Sequence, residues 1–138
     1  MKIIVCLSDN KGMLFNNRRQ SSDEEVITKI LELTKGSKLW MNNYSSKLFP
    51  KLDNINISDN FINEAGENDY CFIENNEIPK EKITGIIIYY WNRNYPADTF
   101  FNFEIKKNCF KKICSMNFIG HSHKEITEEI YIKKELSK

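Results

Sequence analysis

The chain has 138 residues, of which 41% are hydrophobic, so it is long enough for one core but not for two. Its 20 lysines and arginines nearly balance its 19 aspartates and glutamates. That balance argues against a partner held mainly through a nucleic-acid backbone, because such proteins carry a clear basic excess. No apolar run approaches the roughly 18 residues of a membrane span. We therefore expect a single domain over residues 1–138, with neither a nucleic-acid nor a membrane partner.

Residues 2–7 are almost continuously apolar, which predicts a buried central strand. The apolar run contains only five residues, too few for the core of a signal peptide. The four cysteines form no Cys-x-x-Cys pair, and Cys6 and Cys71 fall inside predicted strands. Buried cysteines of this kind are typical of a reducing compartment, so we expect a cytoplasmic protein.

The polar segment from Asp9 to Asp23, between this strand and the first predicted helix, is the most informative part of the sequence. It contains the only adjacent arginine pair, in a chain with three arginines. The planar arginine fork suits phosphate or carboxylate recognition, and loops held between rigid elements often carry binding residues. We predict a ligand loop, and the alternative is a solvated surface loop. The candidate residues in it are Asn16, Arg18, Arg19, Gln20 and Asp23.

A helix is predicted after this loop, with Ser21 or Ser22 as its N-cap and apolar residues at helical spacing up to Gly36. Asp23 and two glutamates fall in its first turn, where carboxylates complement the helix dipole. Asp23 has an alternative interpretation as a catalytic acid or base. A short strand over residues 38–41 and a short helix over residues 45–49 follow.

The remaining chain reads as strands, apart from a polar stretch over residues 53–68 that holds one short helical piece. The order of elements predicts an α/β fold, in which a mixed sheet with flanking helices begins parallel and ends with antiparallel strands. The predicted strands cover residues 70–74, 83–91, 99–105, 110–116 and 125–133.

Several of these segments, taken in order, resemble dihydrofolate reductase. The similar segments are the first strand with its Gly-bearing loop and acidic helix start, then Leu39–Phe49, Ile83–Tyr90, Ala97–Phe101 and Gly120–Ile132. The resemblance covers about two-thirds of the chain and implies a dihydrofolate reductase-like fold. It also implies that Asp23 falls near the pteridine-binding carboxylate of that family.

The sequence departs from the family where the reductases hold NADPH. A Gly-Arg pair after the strand methionine is replaced by Asn42-Asn43, and a mid-chain Gly-Gly pair by Asn75-Asn76. Side chains there obstruct close approach of the backbone to a pyrophosphate. The short spacing between Glu74 and Ile83 also leaves no room for the helix that would seat the phosphate. We therefore expect no NADPH and no other cofactor.

Two further polar clusters are candidates for ligand contact. Arg93 and Tyr95 could supply a charge clamp and a stacking ring, or simply form a loop bent at Pro96. His121 and His123 would share one face of a strand or turn, as ligand contacts or as surface residues. Two histidines are too few for a zinc centre, so we expect no metal. We recognise no motif in which a base flanks a serine or cysteine nucleophile, and Cys71 and Cys114 have no motif around them, which argues against nucleophilic catalysis.

These features favour a non-catalytic protein that binds or sequesters a nucleotide or another anionic, ring-bearing metabolite on a degenerate reductase fold. One alternative is an enzyme, a reductase or hydrolase, that uses Asp23 as acid or base. Another is an inhibitor or adaptor that binds a host protein. We also expect a homodimer through the apolar strand Ile83–Trp91 and its neighbour Tyr70–Glu74. The predicted ligand-binding residues are Asn16, Arg18, Arg19, Gln20, Asp23, Asn42, Tyr44, Arg93, Tyr95, His121 and His123.

Overall fold

The computed structural model describes residues 1–75 and 77–134 of the chain. Its strands are β1 (Lys2–Leu7), β2 (Gly12–Phe15), β3 (Arg18–Arg19), β4 (Leu39–Met41), β5 (Ile55–Ile57), β6 (Tyr70–Phe72), β7 (Gly85–Tyr90), β8 (Thr99–Phe100), β9 (Phe110–Phe118) and β10 (Ile126–Lys133). Its helices are α1 (Glu24–Leu33), α2 (Asn43–Ser46) and α3 (Phe61–Glu64). The predicted helices and strands are therefore all present, and apart from β1 they have different bounds.

Seven strands form one mixed sheet in the order β5-β4-β6-β1-β7-β10-β9. The first five in this order run parallel to their neighbours, whereas β10 pairs antiparallel with both β7 and β9. The prediction of a mixed sheet that begins parallel and ends antiparallel is confirmed. β5 lies in the stretch that the sequence indicated to be polar, and it extends the sheet at one edge.

Strand β1 lies at the centre of the sheet, and both of its faces are buried. Ile3, Val5 and Leu7 pack in a cluster with Phe101 and Phe103 on one face. On the other face Ile4 packs in a second cluster, which includes Val26 and Ile30 of α1. Burial on both faces is the reason that this strand is apolar throughout instead of alternating.

Strands β6 and β7 are also internal to the sheet. β7 lies between β1 and β10, and β6 lies between β1 and β4. Ile86, Ile87 and Ile88 are at most 1% exposed. The expectation that these strands are bare, which motivated the homodimer, is therefore wrong, because β10 and the segment around Phe101 and Phe103 cover them.

The N-cap of helix α1 lies one or two residues after the serines that were predicted to cap it. Asp23 is the N-cap, with an extended backbone (φ −151°, ψ 131°), and its side chain accepts a hydrogen bond from the Glu25 amide. Glu24 and Glu25 occupy the first turn, and Val26 and Ile30 are buried against the sheet. The Asn42 side chain caps α2 in the same way, which starts that helix earlier than predicted.

The polar segment between β1 and α1 is a hairpin instead of an irregular loop. β2 and β3 pair antiparallel, and β2 also pairs with β8 to form a second, three-stranded sheet. Asn16 and Asn17 form the turn with φ angles of 50° and 60°. Both are left-handed, as a type I′ hairpin turn requires, and asparagine tolerates this conformation better than most residues.

Strand β9 forms one edge of the large sheet and is largely uncovered. Residues 111–117 are all exposed, including Ile113 at 52% and Met116 at 40%. Its pairing with β10 skips Ile113, which is a β-bulge, and two lysines precede the bulge. Bulges and lysines on an edge strand hinder uncontrolled pairing with other strands.

Among the described helices, none has the length and apolar character needed to cross a bilayer.

Candidate functional site

A cavity of about 540 Å³ opens between the β2–β3 hairpin and the loop that follows β7. The pairing of β2 with β8 draws the two segments together. Five of the predicted ligand-binding residues line this cavity, which joins the arginine loop to the Tyr95 loop. The lining residues are Phe15, Asn16, Arg18, Arg19, Gln20, Tyr95 and Pro96.

Arg19 is engaged in an ion pair within the protein. Its Nε and Nη2 atoms each donate to the Glu74 carboxylate at 2.8 Å, and the two side chains are 21% and 13% exposed. The Ser45 hydroxyl donates to the same carboxylate at 2.7 Å. The guanidinium carbon lies 4.3 Å from the centroid of the Tyr44 ring. The bond to Glu74 raises the pKa of Arg19, so this arginine is a fixed positive group in the wall.

Arg18 and Gln20 are differently placed. The Arg18 side chain is exposed and has no hydrogen bond or ion pair with any described residue. The Gln20 amide nitrogen donates to the Ser8 hydroxyl and to the Pro96 carbonyl, each at 3.1 Å. Its Oε1 atom is buried and has no partner within the described part of the chain. Arg18 can therefore contact a ligand directly, whereas the Gln20 Oε1 atom is an unsatisfied acceptor that the protein buries.

Asp23 is buried and accepts hydrogen bonds from the loop between β9 and β10. Its carboxylate accepts from the amides of Glu25, His121 and Ser122 at 2.8–2.9 Å, and from the Nδ1 atom of His123 at 2.8 Å. Burial alone would raise the pKa of Asp23. The hydrogen bonds from His121, His123, Ser122 and Glu25 outweigh this effect and hold the pKa well below its ordinary value. Asp23 is therefore a charged group with its acceptors occupied.

His123 connects Asp23 to the cavity. Its side chain is 3% exposed and stacks on Trp91, with ring centroids 4.7 Å apart. Its Nε2 atom lies 3.0 Å from the Ser21 hydroxyl and 3.1 Å from the Tyr95 hydroxyl. The sequence did not predict this pairing of a serine with a base, since Ser21 and His123 meet across 102 residues of sequence.

The two histidines do not share one face as expected. The His121 side chain is 64% exposed, and its Nδ1 lies 3.8 Å from Glu24. The residues between β9 and β10 form a loop and not an alternating strand, so His121 points outward while His123 is buried. No group of three or more potential metal ligands occurs in the parts of the chain that the structure describes.

Gly120 allows this loop to approach Asp23. A Cβ atom at Gly120 would lie 2.7 Å from Asp23 Oδ2 and 2.9 Å from the His123 carbonyl oxygen. We expect Gly120→Ala to lower the free energy of unfolding by about 2 kcal/mol, because the loop must move off the carboxylate. Urea denaturation followed by circular dichroism measures this. At the control position, Gly66, the nearest atom to a Cβ is a side-chain oxygen at 3.3 Å. Equal losses in Gly120→Ala and Gly66→Ala would contradict the assignment.

Two further predicted site residues, Arg93 and Asn42, are not part of the lining of this cavity. Arg93 is exposed, and its carbonyl accepts from the Asp9 amide at 2.9 Å. Asn42, besides capping α2, lines a second cavity of about 430 Å³ with Asn75, Asp59 and Glu77. The described residues lining that cavity include two carboxylates and neither lysine nor arginine. Such a lining does not fit the phosphates of NADPH, because it offers them no cationic side chain.

The residues near Asp23 do not fit a pteridine either. The space between α1, β1 and β6, lined among others by Cys6, Phe72 and Trp91, is only about 20 Å³, roughly the volume of one water molecule. The Asp23 oxygens are already occupied by donors of the protein itself. Of the described residues, those lining these two spaces therefore match neither the phosphates of the cofactor nor the pteridine of a reductase.

Ser21, Ser45 and Glu74 were not among the predicted site residues. Glu74 could have been predicted from the sequence, because it is a carboxylate that follows an apolar strand. It lies close to the edge of the sheet at which β1 also ends. Ser21 and Ser45 are each joined to the site by contacts distant in sequence, and no local pattern marks them.

Comparison with protein-family models and with curated protein sequences gives no significant match. Among solved structures, the chain is similar to dihydrofolate reductase from Enterococcus faecalis, described as complexed with NADP(H) and RAB-propyl. The TM-score is 0.69 at 12% sequence identity, and the match covers 97% of this chain and 96% of that chain. The resemblance found in the sequence is thus confirmed for the fold. The chain has a dihydrofolate reductase-like fold.

Proposed function

We propose that the chain binds a small anionic ligand that carries a ring, such as a nucleotide, in the 540 Å³ cavity, and that it does not reduce pteridines with NADPH. The observation that carries this proposal is the convergence of Arg18, Gln20 and Tyr95 on one cavity. Arg18 supplies a charged fork without an internal partner, Tyr95 supplies a ring, and Gln20 supplies a buried unsatisfied acceptor. The volume lies in the range typical of small-molecule sites.

A ligand screen tests this proposal. Nucleoside mono- and diphosphates and pterins at about 1 mM are added, and the shift in thermal unfolding is measured, because a ligand that binds the folded state raises its apparent stability. The strongest binder is then titrated by calorimetry against Arg18→Ala. We expect affinity to fall about 10- to 100-fold, the range for losing one or two charge-assisted hydrogen bonds.

Arg93→Ala is the matched control, because Arg93 is an exposed arginine that lies outside the cavity lining. It should bind as the unmodified protein does. Absence of any thermal shift across the panel, or equal loss of affinity in the two arginine variants, would refute the proposed site.

We propose that the predicted homodimer forms through strand β9 and not through β6 and β7. Ile113 and Met116 are exposed on this strand, and a second copy would cover these apolar side chains by packing against them, since the bulge and the lysines hinder edge-to-edge strand pairing. Light scattering at about 50 μM should give twice the 16.3 kDa chain mass, and Ile113→Lys should return it to the monomer value. A mass of 16.3 kDa for the unmodified protein would show a monomer and contradict the proposed dimer.

We also infer a reducing compartment such as the cytoplasm, since all four cysteines are free and two are exposed. A host-protein adaptor remains the alternative to ligand binding. Stoichiometric co-purification of a host protein, with no ligand found by the screen, would favour it.

A further inference from the structure

We propose that Ser21, His123 and Asp23 form a serine hydrolase triad, and that Ser21 is a nucleophile toward esters and related acyl compounds. The proposal goes beyond ligand binding, because it assigns a reaction to residues outside the cavity lining. It rests on the distances between the three side chains, which the sequence alone does not give.

The three side chains have the separations of a working triad. The Ser21 hydroxyl lies 3.0 Å from His123 Nε2, and His123 Nδ1 lies 2.8 Å from Asp23 Oδ2. A charged carboxylate on Nδ1 favours the tautomer with its proton there, which leaves the Nε2 lone pair facing the serine. Triads occur on unrelated folds and are recognised by this geometry, not by the order of residues in the chain.

The histidine and the aspartate of the cluster are held in place by burial, whereas the serine is partly exposed. His123 and Asp23 have side chains 3% and 0% exposed, and Trp91 stacks on the imidazole. Ser21, in contrast, is half-buried. It directly follows Gln20, which lines the 540 Å³ cavity, and Tyr95, which shares Nε2 with Ser21, lines the same cavity. Ser21 itself lines the space of about 20 Å³ beside Asp23, so a substrate held in the larger cavity must extend its acyl group past Gln20 and Tyr95 to reach the hydroxyl.

The reaction follows from these contacts. The Ser21 oxygen attacks the carbonyl carbon of a bound ester, and its proton passes to His123 Nε2. The carbon–oxygen bond to the alcohol then breaks, and Nε2 returns the proton to the departing oxygen. Water attacks the resulting acyl-serine, gives a proton to Nε2, and releases the carboxylic acid as the serine recovers its proton. Asp23 stays ionised and stabilises the imidazolium.

Diisopropyl fluorophosphate tests the nucleophile directly. Attack by Ser21 forms a phosphorus–oxygen bond, expels fluoride, and transfers the serine proton to His123. We expect intact-mass spectrometry of the full chain to show one added diisopropyl phosphoryl group, mapped to Ser21 by peptide analysis. The urea-unfolded chain, in which Ser21 and His123 no longer meet, should react at least 100-fold more slowly.

Ser21→Ala should abolish labelling, whereas Ser22→Ala, its neighbour and matched control, should label as the unmodified chain does. His123→Gln should slow labelling at least 100-fold, and its circular dichroism melt shows whether it still folds. Because that variant removes a buried group, the two serine variants and the comparison with the unfolded chain decide between a triad and a structural cluster. No label on the folded protein, label at another residue, or equal labelling of the unfolded chain would overturn the triad. Labelling requires no metabolite, so its outcome is separate from that of the ligand screen.

Discussion

Replacing Asp23 by asparagine is expected to lower the free energy of unfolding by about 3 kcal/mol, the scale for breaking a buried hydrogen-bonded charge pair. The Asp23 side chain is fully buried, and both of its oxygens accept from donors of the protein. An amide of the same shape would point its NH₂ group at one of these donors. Urea denaturation, compared at equal m-values, measures the loss.

Glu24→Gln is the control for this prediction. It removes a neighbouring carboxylate whose side chain is 82% exposed and which lies 3.8 Å from an exposed histidine. An exposed pair of this kind contributes little, so the change should stay within about 0.5 kcal/mol. If Asp23→Asn were as mild as Glu24→Gln, the link between α1 and the β9–β10 loop would not be a stabilising contact.

The Asp23 carboxylate also makes the free energy of unfolding depend on pH. Its pKa in the folded protein is lowered by the hydrogen bonds that outweigh its burial, whereas the unfolded chain has the ordinary value of about 4. The stabilising contribution is therefore complete above about pH 4 and is lost as pH falls toward the folded pKa. Urea midpoints between pH 6 and pH 3 should fall more steeply for the unmodified protein than for Asp23→Asn.

Glu74→Ala is expected to lower the free energy of unfolding by about 2–3 kcal/mol, because it leaves a partly buried guanidinium without its carboxylate and Ser45 without its acceptor. The matched control is Glu104→Ala, which breaks an ion pair with Lys107 whose side chains are 65% and 80% exposed. That change should cost less than about 0.5 kcal/mol. Thermal and urea unfolding of the two variants give the comparison. Equal effects would show that the Arg19–Glu74 pair acts only as a surface contact.

Most of the large sheet was predictable, because its central strands are apolar runs and α1 carries a clear amphipathic pattern with acidic residues at its start. The hairpin was missed, although Asn16 and Asn17 tolerate the left-handed backbone that both positions of its turn adopt. Its two strands are short, and one of them consists of Arg18 and Arg19, which do not indicate a strand. Pairing with β8, distant in sequence, decides the structure there.

The site was predictable in its parts but not in its assembly. Arg18, Gln20 and Tyr95 were chosen from arginine usage and loop position, and the structure brings them to one cavity. The contacts that define their chemistry join residues that are 55 positions apart, as for Arg19 and Glu74, or 102 apart, as for Ser21 and His123. No local pattern encodes such pairs, and the spacing of the two histidines did not predict that only one is buried.

The position of β1 at the centre of the sheet has a consequence for how the chain folds. Its partners in the sheet are β6 and β7, which begin at Tyr70 and Gly85. The other partner of β7 is β10, which begins only at Ile126. During synthesis the apolar residues of β1 therefore remain without a partner until more than half of the chain has emerged. Long loops must close before these pairings form, which slows folding and exposes apolar surface to aggregation. We expect refolding yields to fall as protein concentration rises, and a chaperone that shields β1 early to restore them.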